Sequence, residues 1–412
     1  MPHRHHRRVL VLGASGLIGS AILREATRYP DLTCVPTSQE ERPGYVALPF
    51  HTMTTPEKWA MLLREHDIQA VVNCVGLWEG TPDEFETIQY QVPVALGQAC
   101  AFLKLHLVQV SALGFKADSP LPYVSTKARA DEYLLEKVPG STIIYPSVVF
   151  GEDSPHTRFF MRLAALPIHV ELGYSKNLQP VHSSDVARAI VGSLRGERLE
   201  RQIDCAGQTR IDMPEYLETL REGMGLGKPV LTVRLPQKLT RAVFSLGEKL
   251  GARFVNKQAY ALLTQGAHSD REFPTATPYT RHALPADGIR VLDSWLYAAT
   301  RFIVGGLWAT TAIATWWFWP REEATAWLSL LHPDFESVTW LGASCLFHAI
   351  MAVLSFCYPS KWLWKSQFWL TVAYTVALLV AEPDLLAHPL GLISKNVCVL
   401  ACLAYLALHE KK

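Results

Sequence analysis

Three residues at fixed spacing could move a proton onto a carbonyl oxygen: Ser111, Tyr123 and Lys127. Ser111 follows an apolar run over residues 105–110 that reads as a strand. Tyr123 comes twelve residues later, and Lys127 four after that. Residues four apart share a helix face, so the ammonium would stand beside the phenol. A neighbouring cation favours the phenolate and lowers the tyrosine pKa. The tyrosine can then pass a proton to a carbonyl as hydride arrives from a nicotinamide. The serine would donate a hydrogen bond to the same oxygen. Tyr133 and Lys137 repeat the spacing. Ten residues on a helix turn through about 280°, so this second pair faces away. The first pair lies near the helix start, close to the end of the serine's strand. It is the chemical candidate, and Tyr133 and Lys137 read as surface residues.

Such chemistry needs a nucleotide, and the chain opens on a stretch able to hold one. Residues 9–12, Val-Leu-Val-Leu, read as a buried parallel strand. Gly13, Ser15, Gly16, Leu17, Ile18 and Gly19 form a glycine-rich turn, and residues 20–29 read as a helix. Strand, turn and helix in that order are the context a dinucleotide motif requires. Gly13 permits the turn, Gly16 leaves room for a pyrophosphate, and Gly19 allows close helix packing. The helix N-terminus offers N–H groups and a positive dipole end to the phosphates.

Further strands are expected at 32–37, 45–50 and 70–76, and helices at 55–66 and 85–103. Thr55 and Pro56 suit an N-cap and a first helical position. The stretch after the second strand reads Thr-Ser-Gln-Glu-Glu-Arg, with no carboxylate at the strand end. Ser38 and Arg42 could hold a 2′-phosphate, whereas Glu40 and Glu41 argue against one. NADP is therefore the expected cofactor and NAD the alternative.

At 412 residues the chain should form two or three domains. A net charge of +1 gives no support to a nucleic-acid partner. The basic start, residues 2–8, reads as a solvated tail and not a signal peptide, because its apolar continuation stops at Gly13. The eight cysteines form no C-x-x-C pair, so neither a disulfide framework nor a metal site is expected.

Residues 143–151, Ile-Ile-Tyr-Pro-Ser-Val-Val-Phe-Gly, resemble a family segment that usually reads R-P-x-x-V/I-x-G, with Tyr145 where arginine is usual. Residues 180–187, Pro-Val-His-Ser-Ser-Asp-Val-Ala, are similar to P-V-H-x-x-D-V-A. Asp185 there can cap the helix that runs to residue 194. With Ser111-Ala112-Leu113-Gly114 and the Tyr123/Lys127 pair, these stretches resemble the complex-I-accessory-subunit-like group of atypical short-chain dehydrogenase/reductases. The likeness covers roughly residues 8–230. It implies that Asn73 and Gly76 lie against the cofactor and that Lys127 also binds the nicotinamide ribose. It also implies that Tyr145, Pro146 and Val149 shape the nicotinamide pocket. The serine-to-tyrosine spacing is shorter than in classical members, and only Ser111 stands where relatives often have two or three serines. Some members bind NADPH without clear turnover.

Residues 228–257 hold seven basic side chains against one acid, Glu248, with apolar spacing that suggests an amphipathic helix. That pattern fits contact with anionic headgroups. Apolar runs continue the chain at 302–319, 337–358, 366–381 and 391–409. A bilayer span needs about 20 such residues. Tryptophans cluster near the run ends, as in an interfacial belt. Lys361, Lys365, Lys411 and Lys412 lie on one side of the spans and Glu322, Glu323, Asp334, Glu336, Glu382 and Asp384 on the other. Positive-inside then puts both termini in the cytoplasm. The tail resembles the four-helix DoxX-like membrane domain in hydropathy.

The expected architecture is an α/β Rossmann domain with a doubly wound parallel sheet, followed by an all-α four-helix transmembrane domain. The boundaries are 1–230, a basic juxtamembrane region at 231–290, and 297–412. The expected activity is reduction of a lipophilic carbonyl or quinone at the cytoplasmic face of the cell inner membrane. The alternatives are an NAD(P)H-binding sensor or assembly subunit with a membrane-complex partner, and a nucleotide-sugar epimerase or dehydratase.

Overall fold

The computed structural model describes residues 6–151, 154–172, 178–229, 231–252, 254–256, 259–260, 266–278, 283–329, 333–335, 337–384 and 395–410. It divides into two compact units, Met1–Gly288 and Ile289–Lys412.

The strands of the first unit are β1 (Arg7–Leu12), β2 (Leu32–Ser38), β3 (Val46–Ala47), β4 (Ala70–Asn73), β5 (His106–Val110) and β6 (Ser141–Pro146). They continue as β7 (Val149–Phe150), β8 (Ile168–Leu172), β9 (Val181–His182), β10 (Gln202–Cys205) and β11 (Leu231–Leu235). Seven form one sheet in the order β10-β6-β5-β4-β1-β2-β3, with every pair parallel. Its central strands are near-continuous runs of Val, Leu and Ile, as expected where helices cover both faces. β1 sits between β2 and β4, where the strand order reverses. That switch point opens a crevice at the carboxyl ends of the strands.

The helices are α1 (Leu17–Ala26), α2 (Pro56–Glu65), α3 (Pro82–Glu86), α4 (Val92–Leu103), α5 (Pro122–Lys137), α6 (Pro155–Ala165), α7 (Ser183–Leu194), α8 (Met213–Gly223) and α9 (Gln237–Lys249). One core layer joins α1 and α7 to the sheet through Ile22, Val186 and Ile190, and Phe273 returns to it from far along the chain. The other layer holds Trp59 of α2, Leu96 of α4 and Leu134 of α5. Residues 266–277 are stitched to the first layer. Ser147 Oγ donates to the Ala267 carbonyl at 2.6 Å, and Ser269 N donates to Gln179 Oε1 at 2.6 Å.

Four local expectations change. The third strand is only Val46–Ala47, because Pro49 cannot donate to a ladder, and a 3₁₀ turn succeeds it at Phe50–Thr52. The helix expected over 85–103 is broken by a π turn at Thr87–Gln91. Pro93 has no N–H to offer the Gln89 carbonyl, so the helix widens there. α1 begins at Leu17, directly on the glycine turn. Asp185 is not a cap: His182 is, accepting from Ser184 N. Asp185 instead accepts from Ala276 N at 3.0 Å and Thr277 N at 3.2 Å.

The second unit is helical. α10 (Pro285–Ile313) runs into a π turn at Ala314–Phe318. α11 (Arg321–Ser329), which the sequence did not announce, lies in the expected loop. The remaining helices are α12 (Val338–Cys357), α13 (Lys361–Ala381) and α14 (Lys395–His409). Among the described residues α12 is long and apolar enough to cross a membrane by length and composition. α13 has 21 residues, about 32 Å of helix, with Lys361 and Lys365 in its opening turns. Residues 391–394 of the expected fourth run lie outside the described residues. Val304, Trp364, Leu403 and Leu406 form a common core. Inside it Trp308 Nε1 donates to Gln367 Oε1 at 3.0 Å, and Gln367 Nε2 donates to Ser355 Oγ at 3.0 Å. Pairing polar groups between helices avoids leaving them unsatisfied in an apolar setting.

A Cβ at Gly19 would lie 2.3 Å from the Gly13 carbonyl oxygen and 2.7 Å from Ala14 Cα. Both obstacles are backbone. Gly19→Ala should therefore cost the first unit about 1–3 kcal/mol by overpacking, read as a lower midpoint in chemical unfolding.

Candidate active site

The glycine turn sits at the carboxyl end of β1. Gly13 has φ +71°, and a Cβ there would come within 3.2 Å of the Cys74 carbonyl group. The turn is thus pressed against the end of β4. Gly16 N donates to the Gly13 carbonyl at 3.0 Å, and Gly16 is the N-cap of α1 with no side-chain cap. The first-turn N–H groups of a helix have no intrahelical acceptor, and none is supplied here by a capping side chain. Ser15 and Gly16 are exposed, and Leu17 and Ile18 half-buried. A Cβ at Gly16 would meet only the Gly13 oxygen, at 3.3 Å. The protein leaves that space open on the outer side. An uncapped helix N-terminus beside a bare glycine suits an anion, so these residues fit a dinucleotide pyrophosphate.

Around this cradle the other residues take different places. Gly76 lies just past β4, and a Cβ there would lie 3.4 Å from Lys127 Nζ. Asn73 is fully buried. Its Nδ2 donates to Gln109 Oε1 at 2.8 Å and its Oδ1 accepts from Val75 N at 3.1 Å, which fixes the turn after β4. Ser38 ends β2, while Arg42 is exposed with its guanidinium 5.2 Å from the Tyr45 ring centre. Just past β5 the ladder to β6 continues, with Ser111 N donating to the Ile144 carbonyl at 2.8 Å and Leu113 N to the Pro146 carbonyl at 3.0 Å. Val149 pairs with Val181. Just beyond it, a Cβ at Gly151 would meet Leu17 Cδ1 at 2.9 Å, so this segment borders the start of α1. Tyr145 is half-buried, and burial pushes its phenol up.

Tyr123 and Lys127 lie on the first turns of α5, on one face. Lys127 is buried, and burial pulls its ammonium down from the usual lysine value, while Asp131 and Cys74 hold it up. Ser111 Oγ donates to Asp131 Oδ2, one helical turn beyond the lysine. Burial pushes the Asp131 carboxyl up to about 7, against the Ser111 hydrogen bond and the Lys127 charge. Its other oxygen, Oδ1, has no hydrogen-bond partner among the described residues. Tyr123 departs from expectation. Its ring touches Phe115, Trp78 and Phe85 edge-on, at centroid distances of 5.3, 5.6 and 5.9 Å. Burial among these rings raises the phenol to about 12, and the lysine does not lower it. The aromatic wall continues through His156, 4.7 Å from Trp78, to Phe254, 4.8 Å from His156. Lys137 is exposed and paired with Glu136, and the Tyr133 hydroxyl accepts from Gln98.

Two residues of this site escape a reading of the sequence alone. Asp131 could have been found as the acid four residues past Lys127. Gln89 gives no such signal. It is buried in the π turn, accepts from Leu77 N at 3.2 Å, and donates to the Tyr123 carbonyl at 2.9 Å and to Thr126 Oγ1 at 3.2 Å. It thereby ties α5 to the segment after β4.

A glycine turn at the switch point of a parallel sheet, with Tyr-x-x-x-Lys on the helix after β5, is an arrangement like that of the NAD-binding Rossmann domains of short-chain dehydrogenase/reductases. Residues 9–198 match the NAD dependent epimerase/dehydratase family, and residues 298–404 match the DoxX-like family. The chain thus joins an epimerase-like NAD-binding domain to a DoxX-like domain. It is 27% identical over 207 residues to NADH dehydrogenase [ubiquinone] 1 alpha subcomplex subunit 9, mitochondrial, of Arabidopsis thaliana, covering 45% of this chain and 50% of that one. It is 24% identical over 221 residues to Protein FMP52, mitochondrial, of Lodderomyces elongisporus, covering 48% of this chain and 93% of that one. Among solved structures it resembles UDP-N-acetylglucosamine 4-epimerase from Bacillus cereus, with TM-score 0.50 and 14% identity over 69% of this chain and 99% of that one. UDP-glucuronic acid 4-epimerase from Bacillus cereus, in complex with UDP-glucuronic acid and NAD, gives the same four figures. At that identity the likeness is one of fold.

The folded Asp131 keeps its proton up to about 7, whereas an unfolded aspartate releases it near 3.8. Its contribution to stability is therefore complete below 3.8 and lost as pH rises through 7. Asp131→Asn should remove that loss, so its unfolding midpoint should gain on wild type between about pH 4 and pH 8. A constant difference across that range would contradict the assignment.

Proposed function

We propose that the chain is a membrane-anchored NAD(P)H-dependent oxidoreductase that reduces a lipophilic carbonyl or quinone at the cytoplasmic membrane face. The observation that carries this reading is the aromatic enclosure of Tyr123 by Trp78, Phe85 and Phe115. Rings offer apolar area and few hydrogen bonds. A nucleotide sugar would need polar partners for its diphosphate and hydroxyls, so the wall favours an apolar substrate. The match at residues 298–404 to a DoxX-like domain supports a bilayer as the source of that substrate.

In this reading Gly13, Ser15, Gly16, Leu17, Ile18 and Gly19 hold the pyrophosphate, and Ser38 and Arg42 face the adenosine ribose. Asn73 and Gly76 border the cofactor, and Lys127 orients the nicotinamide ribose. Tyr145, Pro146 and Val149 shape the ring pocket. A bound nicotinamide supplies hydride. Tyr123 gives its proton to the carbonyl oxygen, and a phenol near 12 keeps that proton until charge develops on the substrate. Ser111 can donate to the same oxygen only after its hydroxyl leaves Asp131. That engagement favours a second reading, an NAD(P)H-binding subunit of a membrane complex in which Ser111 is structural.

Tyr123→Phe separates the two. Under the first reading turnover of NADPH with a quinone panel falls about a hundredfold or more, while nucleotide affinity holds. Gly16→Val should keep the fold, since its Cβ meets little protein, and lose nucleotide binding. Unchanged turnover in Tyr123→Phe would favour the binding subunit.

The lysine asymmetry supports four spans with both termini cytoplasmic. A reporter fused after Lys412 should give cytoplasmic fluorescence, and alkaline phosphatase activity there would refute that topology.

A further inference from the structure

The outward face of α9 is apolar. Leu239, Val243, Leu246 and Leu250 are 49%, 40%, 57% and 76% exposed. At 100° per residue they fall within about 60° of arc. The helix is held to its own unit by a neighbouring stripe: Thr240 and Phe244 are buried, and a Cβ at Gly247 would lie 2.1 Å from the Val255 carbonyl oxygen. The leucine stripe is a second apolar stripe that is left exposed among the described residues. Lys238, Arg241 and Lys249 are exposed on the same helix. The β8–β11 ribbon that leads into α9 repeats the pattern. Ile168 faces Leu231 and Val170 faces Val233 across it, and all four are exposed on one face. A two-stranded ribbon ordinarily buries that face.

We propose that α9 lies in the headgroup region of an anionic bilayer, with its leucine stripe in the acyl boundary and Lys238 and Lys249, which flank that stripe, on lipid phosphates. Three features select a bilayer as the occupant. The exposed arc is narrow and purely aliphatic, and basic residues share its helix, the composition of an interfacial helix. Residues 228–257 carry seven basic side chains against Glu248, a charge complementary to anionic lipid. The same chain continues into a DoxX-like domain at residues 298–404. The inference rests on the reading that the second unit holds the chain in a membrane.

Hydrogen exchange of the full-length protein in nanodiscs tests it. Amides of 237–250 should exchange about tenfold or more slowly in phosphatidylcholine with about 30% phosphatidylglycerol than in phosphatidylcholine alone. Leu239→Glu/Leu246→Glu should abolish the difference and leave NADPH affinity unchanged. Equal exchange in both lipids overturns the proposal. Equal slowing in both lipids and in detergent also overturns it, and assigns the face to protein, either a second copy or a partner. Failure of the protein to enter nanodiscs would instead remove the membrane reading beneath it.

Discussion

Backbone meets backbone where α1 leaves β1, and the nucleotide-binding unit depends on that contact. Gly19 lies over the Gly13 carbonyl with no room for a methyl group, and Gly13 lies against the end of β4. The contact sets the angle at which α1 departs from the sheet, and with it where the uncapped N–H groups aim. It also puts α1 against α7 in one core layer through Ile22 and Ile190. Dispersion and burial in that layer then hold a geometry that hydrogen bonding alone would not select.

The chemical end of the site obeys a different constraint, which is burial of charge. Lys127, Asp131 and Ser111 are all buried, and each limits the others. An ammonium and a carboxyl brought out of water together reduce each other's desolvation cost without cancelling it. The carboxyl therefore stays near neutral pH and not in the usual aspartate range. Tyr123 stands on the same helix but in an aromatic setting, where the phenolate is disfavoured. Successive turns of α5 thus set a phenol walled by rings beside a buried pair of ionisable groups.

Much of this was legible in the residues. Apolar runs marked β1, β4 and β5, because buried parallel strands need little polar alternation, whereas β6 was met only as part of a family-like segment. Glycine spacing marked the turn, and tyrosine and lysine four apart marked the face of α5. The parts that escaped were tertiary. Gln89 matters only because Pro93 widens the helix there and turns its amide toward α5. Asp185 looks like a cap, yet it serves a loop ninety residues away in sequence. Tyr123 was expected to feel Lys127, but burial among the rings of Phe115, Trp78 and Phe85 sets its phenol instead. Apart from Phe115 and Pro93, these partners lie thirty or more residues along the chain from the residue they affect. In the tail, helices stand where apolar runs suggested them, while α11 hides in a polar stretch with no apolar signal of its own.

The return of residues 266–277 to the sheet has a bearing on biosynthesis. Phe273 completes a core layer that β1 begins, and Asp185 and Gln179 wait for backbone partners from the same segment. The nucleotide-binding unit cannot close when β10 has paired; it closes only when that strap has left the ribosome. By then the apolar run at 302–319 is about to emerge. N-terminal domains usually finish folding well before the downstream chain is made. Here the last stitch of the first unit is made as the first apolar run of the DoxX-like region emerges, so the two units take shape within one interval of synthesis.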